Sequence, residues 1–295
     1  MPELPEVETV RRGLERYVCD QTISVVECIA EKSCQISSDE IDRHVIGSRI
    51  VAVRRRAKVL ICDLSSGYSL LVHLKMTGQL VYVGSERFGA GHPNDSLIGA
   101  LPDSSTRVMI QFVRGGVLYF NDQRRFGWMR LFPTVELESV DVIRRLGPEP
   151  LHPDFTANMF IERLRRRNNS GVKAVLLDQS IVAGVGNIYA DESLWGAKIH
   201  PLQKIRDISD AELNVLWREL VEVMNLAIKM GGSTDKNYVN AEGKKGSYLT
   251  FARVFRREGL LCSRCGSTIQ KIRVAGRGTH ICPECQVIRP DRNTV

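Results

Sequence analysis

Four cysteines near the carboxyl end of this 295-residue chain stand in an order that suits a metal. The stretch "CSRCGSTIQKIRVAGRGTHICPEC" sets Cys262 and Cys265, then Cys282 and Cys285, as two C-x2-C pairs with sixteen residues between them. Each pair offers two thiolates from a tight turn. Four thiolates complete a tetrahedral Zn2+ shell and leave no position for a substrate, so one structural zinc per chain is expected and no organic cofactor. The other candidate chemistry lies at the opposite end, in "MPELPE". Removal of Met1, common when the next residue is small, would leave Pro2 with a free secondary amine. An α-amino group titrates near pH 8, so an appreciable fraction is neutral under physiological conditions. Amines add to carbonyl-like carbons, and a secondary amine then gives an iminium, a permanent cation that draws electrons in an elimination. Glu3 is adjacent and Glu6 lies one turn on, where a carboxyl can act as general acid or base. The same six residues also suit an ordinary helix start, with proline in the first turn and acids at the positive end of the helix dipole. Taken alone, they favour the helix start.

The bulk numbers point to a folded chain with a polyanionic partner. Hydrophobic residues make up 43% of the sequence, enough for a packed core. No apolar run reaches the roughly 18–20 residues of a membrane span, and charges from Glu3 onward break any signal-peptide pattern. The expected location is cytoplasmic and nucleoid-associated, of bacterial type, with no membrane partner. Net charge is +7. From Glu242 to Val295 eleven Lys and Arg face four acids, an excess equal to the whole net charge. A basic module on a neutral body is an electrostatic anchor for nucleic acid. The arginines and lysine between the cysteine pairs (Lys271, Arg273, Arg277) sit in an alternating stretch that predicts a zinc-held hairpin. Cys19, Cys28, Cys34 and Cys62 have no metal spacing and are expected as reduced thiols.

The elements that must position these groups follow from periodicity. "PELPEVETVRRGLERYV" predicts a helix with Val7, Val10, Leu14 and Tyr17 on one face. From Ile50 to about Phe132 short β-branched and aromatic runs alternate with turn residues, and Gly115-Gly116 marks a hairpin. Within that region Gly84–Ser105 predicts a long exposed loop. "LGPEPLHPDF" predicts a linker, and the texture then turns helical, with a capping box at Ser209 and Glu212. "GGSTDKNYVNAEGKKGS" predicts a mobile loop. The expected architecture is α+β: an N-terminal helix and β-sandwich at 1–133, a hinge at 134–155, a helical domain at 156–248, and a zinc finger at 249–295.

Several segments taken together closely resemble the bacterial formamidopyrimidine-DNA glycosylases. They are "MPELPEVETVRRGLE", "AKVL" at Lys58, "VHLKMTGQL", "NDQRRFG", "LGPEPL", "LLDQSIVAGVGNIYADESLW", "GGST" and the cysteine tail, in order over nearly the whole chain. The resemblance implies a β-sandwich half and a half with a helix–two-turn–helix and a zinc finger. It implies a monomer acting on damaged double-stranded DNA, removing oxidised purines and then cutting the strand by β,δ-elimination. Pro2 would be the nucleophile at C1′ of a flipped nucleotide. Glu3 would be the proton donor, Lys58 would assist β-elimination, Arg277 the δ step, and Glu6 would support. His73 and Asn187 would contact phosphate. Without the family, His73 is an ordinary sheet histidine and Asn187 a helix N-cap. Met76, Arg124 and Phe126 would fill the gap left by the flipped base, although Met76 and Phe126 alone suit core packing. Lys173, Arg167 and Asn169 are further expected DNA contacts.

The chain departs from the family pattern in places. Ala57 precedes Lys58 where glycine is usual. Ser105 stands where a DNA-contacting histidine is usual, and Asn169 stands near a usual basic position. The 84–105 loop is longer than usual, and His92 within it has no expected role. Two alternatives stay open: an endonuclease VIII-type enzyme for oxidised pyrimidines, and a catalytically silent DNA-binding relative.

Overall fold

The computed structural model describes residues 2–92, 94–233 and 248–290. The chain divides into two compact units. One runs to Arg144 and takes back a segment beginning at Ile228; the other runs from Arg145 to Ala227 and resumes at Tyr248. The loop at Gly231–Ser233, expected within the helical domain, therefore belongs with the amino-terminal unit.

The first unit opens with α1 (Leu4–Val18). Val7, Val10 and Leu14 of its predicted apolar stripe are buried, Tyr17 is only partly buried against the core, and Val18, not among the predicted four, is fully buried. The helix starts at Leu4 with Glu3 as its cap residue, so Pro2 lies outside the helix and its nitrogen owes nothing to the helical ladder. Strands β1 (Ile23–Cys28) and β2 (Cys34–Gln35) and a short helix α2 (Ser38–Glu40) follow. Next come β3 (Ile50–Arg56), β4 (Val59–Leu64), β5 (Tyr68–His73), β6 (Gly78–Val83), β7 (Arg87–Gly91), β8 (Thr106–Phe112), β9 (Val117–Asp122) and β10 (Trp128–Pro133), then a short helix α3 (Asp141–Arg144). They form two five-stranded sheets, ordered β1-β8-β9-β6-β7 and β2-β10-β5-β4-β3. One core draws from both sheets and from α1: Leu60, Leu70 and Val72 from one sheet, Leu80, Val108 and Phe120 from the other, with Val10 and Leu14. This is the predicted sandwich.

Three expectations are corrected here. Gly84–Ser105 is not one exposed loop. It contains β7, whose Phe88 is 2% exposed, and a turn of helix at Asp95–Leu97 whose Leu97 packs with Val81 and Tyr119. Its Gly, Ser and Pro content masks a strand only five residues long. Cys28 and Cys34 form a disulfide, where reduced thiols were expected; they lie six positions apart, at the end of β1 and the start of β2, and the short excursion between the strands brings them together. The stretch 134–155 is not wholly a hinge, since a 3-10 turn (Thr134–Ser139) and α3 occupy its first part.

The second unit contains α4 (Ala157–Arg165), α5 (Val172–Leu177), α6 (Asn187–Gly196) and α7 (Asp210–Lys229), whose last turn crosses the unit boundary. A hairpin of β11 (Gln270–Val274) and β12 (Arg277–Ile281) follows, as predicted. The capping box ahead of α7 is present: Glu212 Oε2 accepts from Ser209 N–H at 2.9 Å, and Ser209 Oγ accepts from Glu212 N–H at 3.3 Å.

Helix α1 can approach β7 closely because position 13 is glycine. A Cβ there would lie 1.9 Å from Cζ of Phe88. Alanine is the better helix former by about 1 kcal/mol, yet overpacking of this kind costs about 1–3 kcal/mol. Gly13→Ala is therefore expected to lower the unfolding free energy in urea, and a gain in stability would contradict this packing.

Candidate active site and metal centre

Within the first unit three residues that follow Met1 are buried. Pro2 is buried, Glu3 is 2% exposed and Glu6 7%. A buried carboxylate needs donors for its oxygens. Glu6 Oε2 accepts from Glu3 N–H at 2.8 Å, and Oε1 accepts from Ser233 N–H at 2.7 Å. The first bond ties the cap residue to the first turn. The second ties that turn to a loop 227 residues away in sequence. Gly232, with φ +90°, brings the loop in, and a Cβ there would sit 3.2 Å from Glu6 Cγ. Sequence reasoning assigned Glu6 a supporting part but did not find its partner, because nothing local links residue 6 to residue 233.

Lys58 is 7% exposed in the two-residue turn between β3 and β4, where Arg56 pairs with Val59. The turn places Ala57 at φ +50°, a left-handed conformation that explains the family's usual glycine. Arg55 braces it from below. Its Nη1 donates to Ala57 O at 3.0 Å, and its Nε donates to Glu8 Oε2 at 3.1 Å. Burial works against the Glu8 carboxylate, but hydrogen bonds from Arg11, Arg12 and Arg55 hold it below the usual range. Helix α1 thus positions both the amino terminus and the lysine turn. In the same sheet Val59 and Trp128 flank His73 in register. Burial, then the ammonium groups of Lys75 and Lys58, push the His73 pKa down to about 3. Lys75 N–H donates to its Nδ1 at 3.0 Å, so the neutral ring carries its proton on Nε2, a donor suited to phosphate.

Met76 is half-buried, while Arg124 and Phe126 are exposed, with the Arg124 guanidinium 4.9 Å from the Phe126 ring centre. Phe126 is 55% exposed and so is not a core residue. Asp122, which sequence reasoning passed over, fastens this tip. Its Oδ2 accepts from Gly127 N–H at 2.6 Å, its Oδ1 accepts from Arg124 N–H at 3.2 Å, and Thr77 Oγ1 also donates to Oδ1. One carboxylate therefore joins the turn after Met76 to the Arg124–Phe126 turn. An aspartate two residues ahead of an arginine pair at a strand end is the Asx-turn signal that was available.

The second unit holds the remaining candidates. Asn187 is the first residue of α6, with Gly186 as the N-cap, so it does not cap the helix. Its Nδ2 donates to Gly278 O at 2.9 Å, next to Arg277. Arg277 is exposed at the start of β12, after the Ala275-Gly276 turn (φ +49° and +71°). Lys173 is corrected: it is fully buried, and its Nζ lies 2.6 Å from both Asp191 Oδ1 and Thr279 Oγ1, so it does not face a ligand outside. The buried pair instead docks β12 on α5 and α6. Asp191 Oδ2 accepts from His280 N–H at 3.0 Å. Beside it, buried Glu192 accepts backbone N–H groups from Arg253, Val254 and Phe255 and the Tyr248 hydroxyl. Arg167 and Asn169 are exposed; Asn169 Oδ1 accepts from Arg206 Nη1 at 2.9 Å. Arg165 is occupied by Ile205 O, Ile208 O and Asp210. Asp191 and Glu192 were also missed, since adjacent acids in a helix look solvated until both prove buried.

The four ordered cysteines converge, with their sulfurs within 4.8 Å of one another. Cys262 and Cys285 sulfurs are 3.9 Å apart, and Cys265 and Cys282 3.4 Å. Zn–S bonds of about 2.3 Å imply S–S spacings of roughly 3.8 Å in a tetrahedron, so the residues fit one structural zinc. Backbone N–H groups of Arg264 and Cys285 point at Cys262 and Cys282 sulfurs, as thiolates require. Trp195 of α6 packs into this module, and Arg264 stacks 3.9 Å over its ring.

Comparison with known proteins supplies the context. Residues 1–129 match the family described as formamidopyrimidine-DNA glycosylase N-terminal domain, 146–238 the H2TH domain of the same enzymes, and 259–287 a zinc finger found in FPG and IleRS. The formamidopyrimidine-DNA glycosylase of Pediococcus pentosaceus is 41% identical over 98% of this chain and 100% of its own length. That of Desulforamulus reducens is 40% identical over 97% and 99%. A solved complex of Lactococcus lactis Fpg with N7-benzyl-Fapy-dG DNA aligns at TM-score 0.85 and 35% identity over 97% of this chain and 100% of that one. Another, with DNA containing an oxidised pyrimidine, aligns at TM-score 0.84 and 35% identity over 97% and 100%.

Two outcomes follow from the site's chemistry. His73 is neutral when folded and titrates near pH 6.5 when unfolded. Its contribution to stability is complete above about pH 6.5 and is lost as pH falls toward about 3. His73→Asn should flatten the acid limb of the stability curve, by at most about 1.4 kcal/mol per pH unit; an unchanged limb would show the ring is not held neutral. Removing zinc with a chelator should weaken duplex binding while the near-ultraviolet signal of the β-sandwich persists, and unaltered binding would separate the finger from DNA.

Proposed function

The chain belongs to the formamidopyrimidine-DNA glycosylase family, and on that premise we propose that it excises oxidised purines from duplex DNA and then cleaves the strand. The observation that carries this reading is the buried Pro2–Glu3–Glu6 terminus, with Pro2 outside α1 and Glu6 locked between two N–H groups. A fixed nitrogen beside a buried carboxyl is what addition at C1′ needs: the amine forms the C–N bond as the base leaves, and Glu3 supplies the proton that opens the sugar ring. The resulting iminium acidifies C2′–H, and loss of that proton expels the 3′ phosphate. Lys58, held by the Arg55 brace, is the proposed proton carrier in that step. Arg277, at an exposed hairpin tip, is the proposed partner of the 5′ phosphate in the δ step. His73, a neutral donor beside two lysines, and Asn187 are proposed phosphate contacts. Arg124, Phe126 and Met76, fastened through Asp122 and Thr77, are the proposed filler of the vacated base position, while Arg167 and Asn169 are exposed and suited to flanking phosphates. Lys173 has no direct contact in this scheme. The ordered cysteines hold the zinc that gives the hairpin its shape, and zinc takes no part in bond making.

No helix of the described residues is long and apolar enough to cross a membrane. A cytoplasmic location, close to the chromosome, is proposed from the substrate. A second reading, action on oxidised pyrimidines, draws support from the Lactococcus lactis protein solved with such DNA.

Borohydride should trap a covalent adduct between wild-type protein and DNA carrying 8-oxoguanine, with loss of the adduct in Pro2→Gly or when Met1 is retained. An undiminished adduct in either variant would refute Pro2 as nucleophile. Glu3→Gln should lose base excision more than cleavage at a preformed abasic site. Faster removal of thymine glycol than of 8-oxoguanine from matched duplexes would favour the second reading.

A further inference from the structure

The bridge between Cys28 and Cys34 joins the two sheets of the sandwich. β1 is the outer strand of one sheet and β2 the outer strand of the other, so the bridge staples them at these strands. The excursion between the strands is anchored at both ends. Ile29 N–H donates to Arg107 O of β8 at 2.9 Å, and Met129 N–H of β10 donates to Ser33 O at 2.7 Å. β2 itself is two residues long and pairs in parallel with β10 at Met129 and Arg130. A ladder of that length adds little stability alone. Ser33 is fully buried, and its Oγ meets no hydrogen-bond partner among the described residues, a burial that costs free energy. A covalent tie offsets such a cost by limiting the freedom of the unfolded chain. The two sulfurs differ in access. Cys34 is 5% exposed and packs in the sandwich core, whereas Cys28 is exposed at the end of β1. An outside thiol can therefore reach Cys28, and exposed bridges are the ones that exchange. The other two cysteines of this unit are poor partners for such exchange: burial pushes the Cys62 thiol up to about 12 and raises that of Cys19.

Both anchors of the excursion lead to elements of the site. Next to Met129 on β10 stands Trp128, which pairs with His73 in register, their rings 5.7 Å apart. On the other sheet Arg107, whose carbonyl receives Ile29, donates from Nε to Asp122 O at 2.8 Å. The Asp122 carboxylate in turn holds the Arg124–Phe126 turn. We propose that Cys28 and Cys34 are a reversible redox modification site, and that the bridged form holds His73 and the Arg124–Phe126 turn in the arrangement that binds duplex DNA. The co-reactant is a low-molecular-weight thiol. Its thiolate attacks Sγ of Cys28, forms a mixed disulfide there and expels the Cys34 thiolate, which takes up a proton. A second thiolate attacks the outer sulfur, releasing a small disulfide and the Cys28 thiolate, which is protonated in turn. Two electrons and two protons thus enter the protein, and the small disulfide restores the bridge by the reverse steps. In a reducing cytoplasm, where this chain is proposed to act, bridges are as a rule transient or redox-sensing. The direction of the switch rests on the base-excision reading above: conditions that oxidise bases also close the bridge, and affinity rises when lesions form.

The test uses the full chain with zinc bound, equilibrated in buffers of reduced and oxidised glutathione. Acid quenching, alkylation and intact mass count the free thiols, and zinc content is measured alongside. Affinity is read for a duplex carrying a stable abasic analogue. Wild type, Cys28→Ser and Cys34→Ala are compared. Oxidised wild type should lack one pair of the free thiols found after reduction, and should bind the duplex about fivefold more tightly, reversibly and with zinc unchanged. Reduction should also lower the thermal midpoint by roughly 5 °C. Both variants should stay at the reduced wild-type affinity in every buffer. Cys28 is exposed, so Cys28→Ser leaves the core intact and carries the test if Cys34→Ala does not fold. Absence of the bridge at every glutathione ratio would overturn the proposal. So would equal affinity or an equal midpoint in the two states, or a redox response that persists in Cys28→Ser, which would trace it to the zinc cysteines. Excision of 8-oxoguanine is measured separately. Redox-dependent binding without excision would sink the base-excision reading and keep the switch, and excision with no redox dependence would do the reverse.

Discussion

The Glu6 carboxylate is the interaction on which the amino-terminal part of the site depends. It is buried, and it exists in that state because Glu3 N–H and Ser233 N–H each satisfy one oxygen. Removing either donor would leave a buried charge short of a partner, at a cost of about 1–3 kcal/mol or more. The same two bonds fix where α1 starts, and so keep Pro2 outside the helical ladder. They also bring the Gly231–Ser233 loop to the terminus. A chain end, usually the loosest part of a protein, is thereby ordered.

The same constraint, that a buried carboxylate must be met by donors, recurs at each functional element. Glu8 meets Arg55, which supports the Ala57–Lys58 turn. Asp122 collects two N–H groups and the Thr77 hydroxyl, and thereby holds the Arg124–Phe126 turn against the turn after Met76. Asp191 neutralises Lys173 and takes the His280 N–H, which seats β12 on the helices. Glu192 gathers three backbone N–H groups and a phenol, which anchors the approach to the zinc module. Four carboxylates thus position side chains they do not resemble chemically. A buried ion pair is weak evidence for net stability, but it is good evidence for a defined geometry when every lone pair is used. These carboxylates earn their place through positioning.

Lys173 shows how a family pattern can mislead about mechanism. A lysine near the helix–two-turn–helix of a DNA enzyme invites a phosphate contact. Here the ammonium is fully enclosed by Asp191 and Thr279. What it contacts is β12, where Arg277 begins the strand and Gly278 O accepts from Asn187. Ser105 tells a similar story on the β side, bound to Asp103 and not to an outside partner.

What could be read from the chain was whatever repeats at short range. Short β-branched and aromatic runs set off by turn residues predicted the strands from β3 to β10, apart from β7. The 3.6-residue stripe predicted α1, and the C-x2-C spacing predicted the metal cluster, since two knuckles need only local turns to present their thiolates. The chemistry open to Pro2 and Glu3 was legible in their residue types, although those residues alone favoured a helix start, and Lys58 entered only through the family resemblance. Strand β7 was missed because its five residues include two glycines, and its burial depends on Gly13 of α1 admitting Phe88. The partners of Glu6, Asp122, Asp191 and Glu192 were missed for a related reason. Whether an acid is solvated or buried depends on which backbone N–H groups the fold brings to it, some more than 200 residues away. Sequence determined the candidate groups and most of the elements that carry them. Only the tertiary structure decided which charges are buried and paired, because burial is a property of the packed assembly and not of any local stretch.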